Sequence, residues 1–265
     1  MPSRAKSRQL LVLSSTLYAG RCAGVLINPP NLPGWRDVPI AAWLGEALDV
    51  PVRIENDANA AALAEARYGA GRGARELLYL TMSTGVGAGI LAEGRILRGA
   101  FGAAGEAGHM PIVPGGLSCP CGPTGCLEAY VGGNAWRDRL RAGDPLPGAI
   151  LERAGGRQGA VRPEHVVEAA RDGDPASRAV FLEWVEYLAQ GLAGMIMLLE
   201  PERIVLGTIA VAAGDALCFE PLRERLRPRL WPRQFERLEI VPAQLGDRLP
   251  ERADLAVALA ASDAT

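Results

Sequence analysis

The sequence predicts an α/β fold, and three patterns predict it. Short apolar runs are bounded by glycine or proline, longer Ala/Leu/Glu/Arg stretches have helical composition, and the two alternate along the chain. In order, residues 10–13 and 23–28 read as short strands after a polar, basic start at residues 1–8 that is expected to fray. Residues 28–34 (Asn-Pro-Pro-Asn-Leu-Pro-Gly) form a loop, because proline fixes φ and lacks an amide donor. Residues 58–69 fit a helix, ended by Gly69-Ala-Gly-Arg-Gly73. Residues 77–82 and 86–91 read as strands joined through Ser83-Thr84-Gly85, and residues 176–199 as a long helix stopped by Glu200-Pro201. Residues 203–206 form a buried strand opening onto Gly207, residues 239–241 another strand, and residues 253–261 a closing helix. A break between two lobes is expected between Gly132 and Gly143, giving lobes of residues 1–132 and 133–265.

Composition narrows the function classes. A chain of 265 residues, 49% hydrophobic, can bury a substantial core. Lys+Arg 28 against Asp+Glu 30 leaves a formal charge of -2, without the basic field that dominates nucleic-acid affinity. Residues 10–13 are too short to span a bilayer, and no adequate signal-peptide core follows the basic start. The expectation is a cytoplasmic protein with neither nucleic-acid nor membrane partners. Five cysteines in a chain this long do not make a disulfide scaffold, and three of them crowd together.

That cluster is His109, then Cys119, Cys121 and Cys126. Three thiolates and one imidazole suit tetrahedral zinc, and Gly122, Pro123 and Gly125 let the chain turn tightly enough for the sulfurs to converge. Four protein ligands leave no open position for water, so the site is structural and pins the loop between residues 109 and 128.

Two further segments are ambiguous alone. In Ile54-Glu-Asn-Asp57-Ala-Asn-Ala60, Asn or Asp before an Ala-rich helix is a common N-cap, yet a carboxylate at such a junction equally serves as a general base for a substrate hydroxyl. In Thr81-Met-Ser-Thr84-Gly85-Val86-Gly87-Ala88-Gly89, glycines bare amides suited to phosphate oxygens, as they also do in a plain hairpin turn. The pattern is neither the Walker nor the Rossmann fingerprint.

Together the pieces are specific. The order Asn-Asp-Ala-Asn, Thr-Gly-Val-Gly-Ala-Gly, Glu106-Ala-Gly-His109, the Cys triplet and Cys126-Leu-Glu128 resembles the ROK family of bacterial repressors, unassigned reading frames and sugar kinases, from about residue 23 to the last helix. The resemblance implies an actin-like, ribonuclease-H-like fold of two lobes, with the N-terminal lobe incomplete here. It implies transfer of the γ-phosphoryl group of ATP, with Mg2+, to a hexose hydroxyl, glucose O6 first among them, and a homodimer. It makes Asp57 the catalytic base and Asn56, Asp57, Glu106, His109 and Glu128 the sugar-binding set. Thr84, Gly85 and Gly87 become phosphate-binding and Gly207 adenosine-binding, while His109, Cys119, Cys121 and Cys126 hold structural Zn2+. His109 then works twice, one ring nitrogen on the metal and the other toward the sugar.

The sequence departs from the family on the nucleotide side. The Asp-x-Gly-Gly-Thr hairpin that cradles phosphates and helps hold magnesium is absent, and about fifty residues of the usual layout are expected to be missing before Asp57. Where the family commonly carries consecutive glycines, this chain has Gly207-Thr208-Ile209, whose β-branched bulk narrows the adenosine pocket. The leading reading is a glucokinase-like kinase with impaired phosphoryl transfer, and the second a non-catalytic sugar-binding ROK protein. A repressor needs a helix-turn-helix, for which residues 1–26 are too short.

Overall fold

The computed structural model describes residues 11–15, 24–26 and 34–262; the basic start and most of the proline loop lie outside these residues. Strand β1 (Leu11–Ser15) runs parallel to β2 (Val52–Asn56), with Leu11 opposite Val52 and Ser15 opposite Asn56. Between them lies α1 (Ile40–Leu48), which starts after Pro39 and ends where Asp49 takes φ 52°. Of the strand expected at residues 23–28 only 24–26 are described. There Leu26 and Val38 exchange amide-to-carbonyl bonds of 2.9 and 3.0 Å.

Helix α2 (Asp57–Tyr68) follows β2 without a loop, because Asn56 is at once the last strand residue and the helix cap. Its Oδ1 accepts the amides of Ala58 at 2.9 Å and Asn59 at 3.1 Å, satisfying donors that have no partner inside the helix. One face of α2 is alanine, so neighbouring backbone comes close: a Cβ on Gly89 would lie 2.5 Å from the carbonyl oxygen of Ala58.

The main sheet contains β3 (Leu77–Met82), β4 (Val86–Ala92), β5 (Arg95–Ile96), β6 (Arg203–Leu206) and β7 (Glu239–Pro242), in the order β5-β4-β3-β6-β7. The first three form an antiparallel meander, while β6 and β7 add parallel to β3. Parallel pairing demands crossovers, and helices supply them. Between β5 and β6 run α3 (Leu127–Val131), α4 (Gly133–Ala142), α5 (Gly148–Arg153), α6 (Pro163–Arg171) and α7 (Pro175–Leu199). Between β6 and β7 run α8 (Ile209–Ala213), α9 (Glu220–Leu226) and α10 (Pro232–Arg237), and α11 (Leu249–Ser262) closes the chain.

Helix α7 is long and apolar enough to cross a membrane, yet Phe181, Trp184, Leu188 and Leu192 point into the core. Its N-cap Asp174 accepts the amide of Ser177, and its end at Glu200-Pro201 is where the sequence places it. Trp136 from α4 joins Phe181 and Trp184, with ring centroids 5.3–5.9 Å apart, and Trp184 Nε1 donates to the carbonyl of Val131 at 3.1 Å. Such pairs add about 0.5–1.5 kcal/mol each beyond area burial, and here they fix α3 and α4 on α7.

The boundary expected at residues 132 and 133 runs between β5 and β6 of this one sheet, so strands from both sides of it share a core. Gly132 and Gly143 flank α4 instead of opening a linker. The two sheets part between α2 and β3, and α11 returns to pack Ala253, Ala256 and Val257 on Ala60, Leu63 and Ala64 of α2. It is longer than the helix expected at residues 253–261.

Candidate active site

Asp57 opens α2, where the free amides favour a negative charge. Its Oδ1 accepts the amide of Ala58 at 2.8 Å, but burial dominates and pushes the carboxyl above its ordinary range. Glu106 stands just before a 3-10 turn, Ala107–His109, that hugs β4: a Cβ on Gly108 would meet the carbonyl of Val86 at 2.6 Å. Burial raises the Glu106 carboxyl as well. His109 opposes that shift, while the charges of Glu128 and Asp57 reinforce it, so these four groups share one electrostatic neighbourhood.

Glu128 lies in the first turn of α3, and its Oε2 accepts the amide of Val86 at 2.7 Å. Asn56 spends its oxygen on capping α2, which leaves its side-chain NH2 as the group it can offer a ligand. Glu55, which sequence reading passed over, is almost fully buried; it accepts Asn59 Nδ2 at 3.0 Å and Arg98 Nε at 3.2 Å behind the cap. An alternating Val-Arg-Ile-Glu-Asn run was its only signal.

Beside this cluster the Ser83–Gly85 turn is tied to α4. The amides of Gly133 and Asn134 donate to the carbonyls of Ser83 and Thr84 at 2.8 and 2.9 Å. Thr84 lines a cleft of about 520 Å³ with Met82, Asn134, Arg137, Arg171, Thr208 and Ile209 among its walls. Gly85 and Gly87 stand behind it, Gly85 against Glu128 and Gly87 against Ala58. Gly207 is buried next to Thr208 of the cleft wall, and a Cβ on it would meet Tyr79 Oη at 3.1 Å and Thr81 Oγ1 at 3.2 Å. The arginines of α4 and α6 had no sequence signal, since charged helix faces are usually only solvated.

The donor atoms of His109, Cys119, Cys121 and Cys126 all lie within 4.8 Å of one another. His109 Nδ1 is 3.6 Å from Cys119 Sγ, and Cys121 Sγ is 3.6 Å from Cys126 Sγ. A tetrahedral ion with bonds of about 2.0–2.3 Å has ligand edges of about 3.3–3.8 Å, so the cluster is collected closely enough to hold a metal. Backbone bonds from Leu127 to Met110 and from Ile112 to Gly125 bring the two ends of the loop together.

Sheet order, carboxylate cluster and adjoining cleft define an α/β protein of the actin-like ATPase fold. The ROK family profile matches residues 2–260, and the chain belongs to the ROK family. It is 35% identical over 223 residues to a glucokinase of Thermotoga maritima, covering 84% of this chain and 70% of that one. It superposes with a TM-score of 0.80 on a ROK glucokinase from Streptomyces griseus solved with glucose and AMPPNP, at 32% identity, covering 94% of this chain and 80% of that one. A xylose repressor of Caldicellulosiruptor bescii is 32% identical over 228 residues, 85% of this chain and 56% of its own length.

Proposed function

We propose that the chain phosphorylates a hexose, glucose at O6 first, from ATP with Mg2+. The observation that carries this reading is Asp57: a half-buried carboxylate with a raised pKa, at a helix start beside Glu106, His109 and Glu128. Carboxylates and an imidazole suit adjacent hydroxyls, each of which offers a donor and an acceptor. Asp57 takes the proton of the attacking hydroxyl, its oxygen bonds to the γ-phosphorus, and the bond from that phosphorus to the bridging oxygen of ADP breaks. Thr84, Gly85 and Gly87 place the turn that meets the phosphates, and Gly207 the wall by the adenosine. His109, Cys119, Cys121 and Cys126 would suit a zinc ion, which would close the loop from His109 to the start of α3 beside Glu128, one turn after Glu106, and fix the tautomer of His109.

Kinship to a repressor, and the side chains of Thr208 and Ile209 in the donor cleft, favour a second reading: a sugar-binding protein with little phosphoryl transfer. Calorimetry with glucose and sugar-dependent ADP release on the same sample separate the two. Glucose binding with turnover on the order of 1–100 per second supports the kinase. Binding without turnover supports the second reading, and folded protein with no hexose affinity removes both.

A further inference from the structure

Thr208 has a backbone that threonine rarely adopts, with φ 49° and ψ -109°. This lies outside the left-handed helical well and in a region populated almost entirely by glycine, the more so against a β-branched residue. The conformation is held from outside. Thr208 Oγ1 donates to the carbonyl of Met82 at 2.5 Å and lies 3.3 Å from Thr81 Oγ1, which ties the end of β3 to the start of α8. Both segments line the same cleft, with Met82, Ser83 and Thr84 after β3 meeting Thr208, Ile209 and Ala212 after β6. A Cβ on Gly207 would crowd Tyr79 Oη at 3.1 Å and Thr81 Oγ1 at 3.2 Å, and the bulk that lines the cleft here is that of Thr208, which is exposed, and of its neighbour Ile209. The cations Arg137 and Arg171 line the cleft as well.

We infer that Thr208 is a specificity-determining residue of the donor cleft, narrowing the end that a nucleoside base must enter while leaving the phosphate end open. The inference rests on the cleft being the donor site, as proposed above. A donor is then held chiefly through its phosphates, and the base adds little.

Glycine suits the backbone of residue 208 without strain, so T208G should fold. The full chain is titrated by calorimetry with the magnesium complexes of a non-hydrolysable ATP analogue and of inorganic tripolyphosphate, which has no base. In the unaltered chain the two should bind within about threefold of each other, and T208G should tighten the analogue about tenfold or more while leaving tripolyphosphate unchanged, in line with the tenfold and larger effects of small groups in pockets. T208S retains the hydroxyl bond and removes only the methyl, so it should fall between them. An analogue affinity unchanged in T208G, or both probes tightening equally, overturns the inference while leaving the kinase reading intact. Binding of neither probe overturns the inference together with the donor-cleft reading, and glucose titration of the same sample shows whether the sugar site survives.

Discussion

Glu128 Oε2 accepts the amide of Val86 at 2.7 Å, and a Cβ placed on Gly85 would fall 2.4 Å from that same oxygen. Residue 85 is therefore glycine because a carboxylate occupies the space its side chain would need. Gly85→Ala should displace Glu128 and break its bond to Val86, weakening glucose binding about 10- to 100-fold, the range of a charge-assisted bond worth about 1.5–3 kcal/mol. Gly148→Ala is the control, since a Cβ there meets nothing within 4 Å. Calorimetry showing equal glucose affinity in both variants would mean that Glu128 does not touch the sugar.

Asp57→Asn preserves shape and removes the base, so turnover should drop about 10²-fold or more with sugar affinity little changed. Stability should move the other way. Because burial raises the folded carboxyl above its ordinary 3.8, the stability linked to that proton is present in full below pH 3.8 and lost as pH rises through the folded value. At pH 7 the ionised Asp57 is thus a cost, and Asn should raise the melting temperature, by a margin that vanishes toward pH 3.8. A variant that melts lower at pH 7 and turns over normally would return Asp57 to a plain helix-start role.

Glu65 is fully buried in α2 and accepts the amides of Ala70 at 2.7 Å and of Gln244 and Leu245 at 3.0 Å each. It staples the helix that bears Asp57 to the chain leaving β7. Glu65→Ala removes the acceptor of three amides, of which that of Leu245 is buried while Gln244 is exposed, and should cost about 1–3 kcal/mol, whereas Glu65→Gln keeps one carbonyl oxygen and should cost less. Urea midpoints at unchanged slope measure both, and a loss below 1 kcal/mol for Ala, read as less than about one such bond, would mean that water replaces the carboxylate.

Legibility in the sequence followed the strength of local patterns. The strands at 77–82 and 203–206 are apolar on both faces, and α7 has a proline at each end, so their bounds were readable. Helix α1 escaped because Ile-Ala-Ala-Trp-Leu-Gly-Glu-Ala-Leu has no side-chain cap and none of its residues is buried. The glycines around α4 looked like a linker, but Gly133 is there because a Cβ would lie 2.1 Å from the carbonyl of Ser83. That is a contact between segments fifty residues apart, which no local window displays. At the site, the His109, Cys119, Cys121 and Cys126 cluster was readable from residue type and spacing, and the carboxylates from the resemblance to the family. Of the cleft walls, Thr208 and Ile209 stood out as departures from the family's glycines, whereas Arg137 and Arg171 did not, because they reach the cleft only once α4 and α6 have packed beside β3 and β6.

The cysteine loop offers the test that joins metal to sugar. Cys119 and Cys126 are buried while Cys121 is exposed, so a chelator could reach an ion bound there from the Cys121 side. Protein purified without chelator should hold about one zinc per chain, as expected for a closed set of three thiolates and one imidazole. Cys121→Ser should lower that occupancy. Stripping the metal should also weaken glucose binding, because the loop that the ion closes begins at His109 and ends beside Glu128, and Glu106 precedes it by one turn. Donor binding should change less, since the cleft walls come from β3, α4, α6 and α8 and none of them ligates the metal. Metal analysis, followed by glucose titration before chelation, after it and after zinc is restored, distinguishes the cases. Zinc absent from the purified chain, or retained in full by Cys121→Ser, would refute the ligand set. Zinc present but glucose affinity indifferent to its removal would leave the site a brace for the loop alone, with the sugar-binding groups held by β4 and α3 without it.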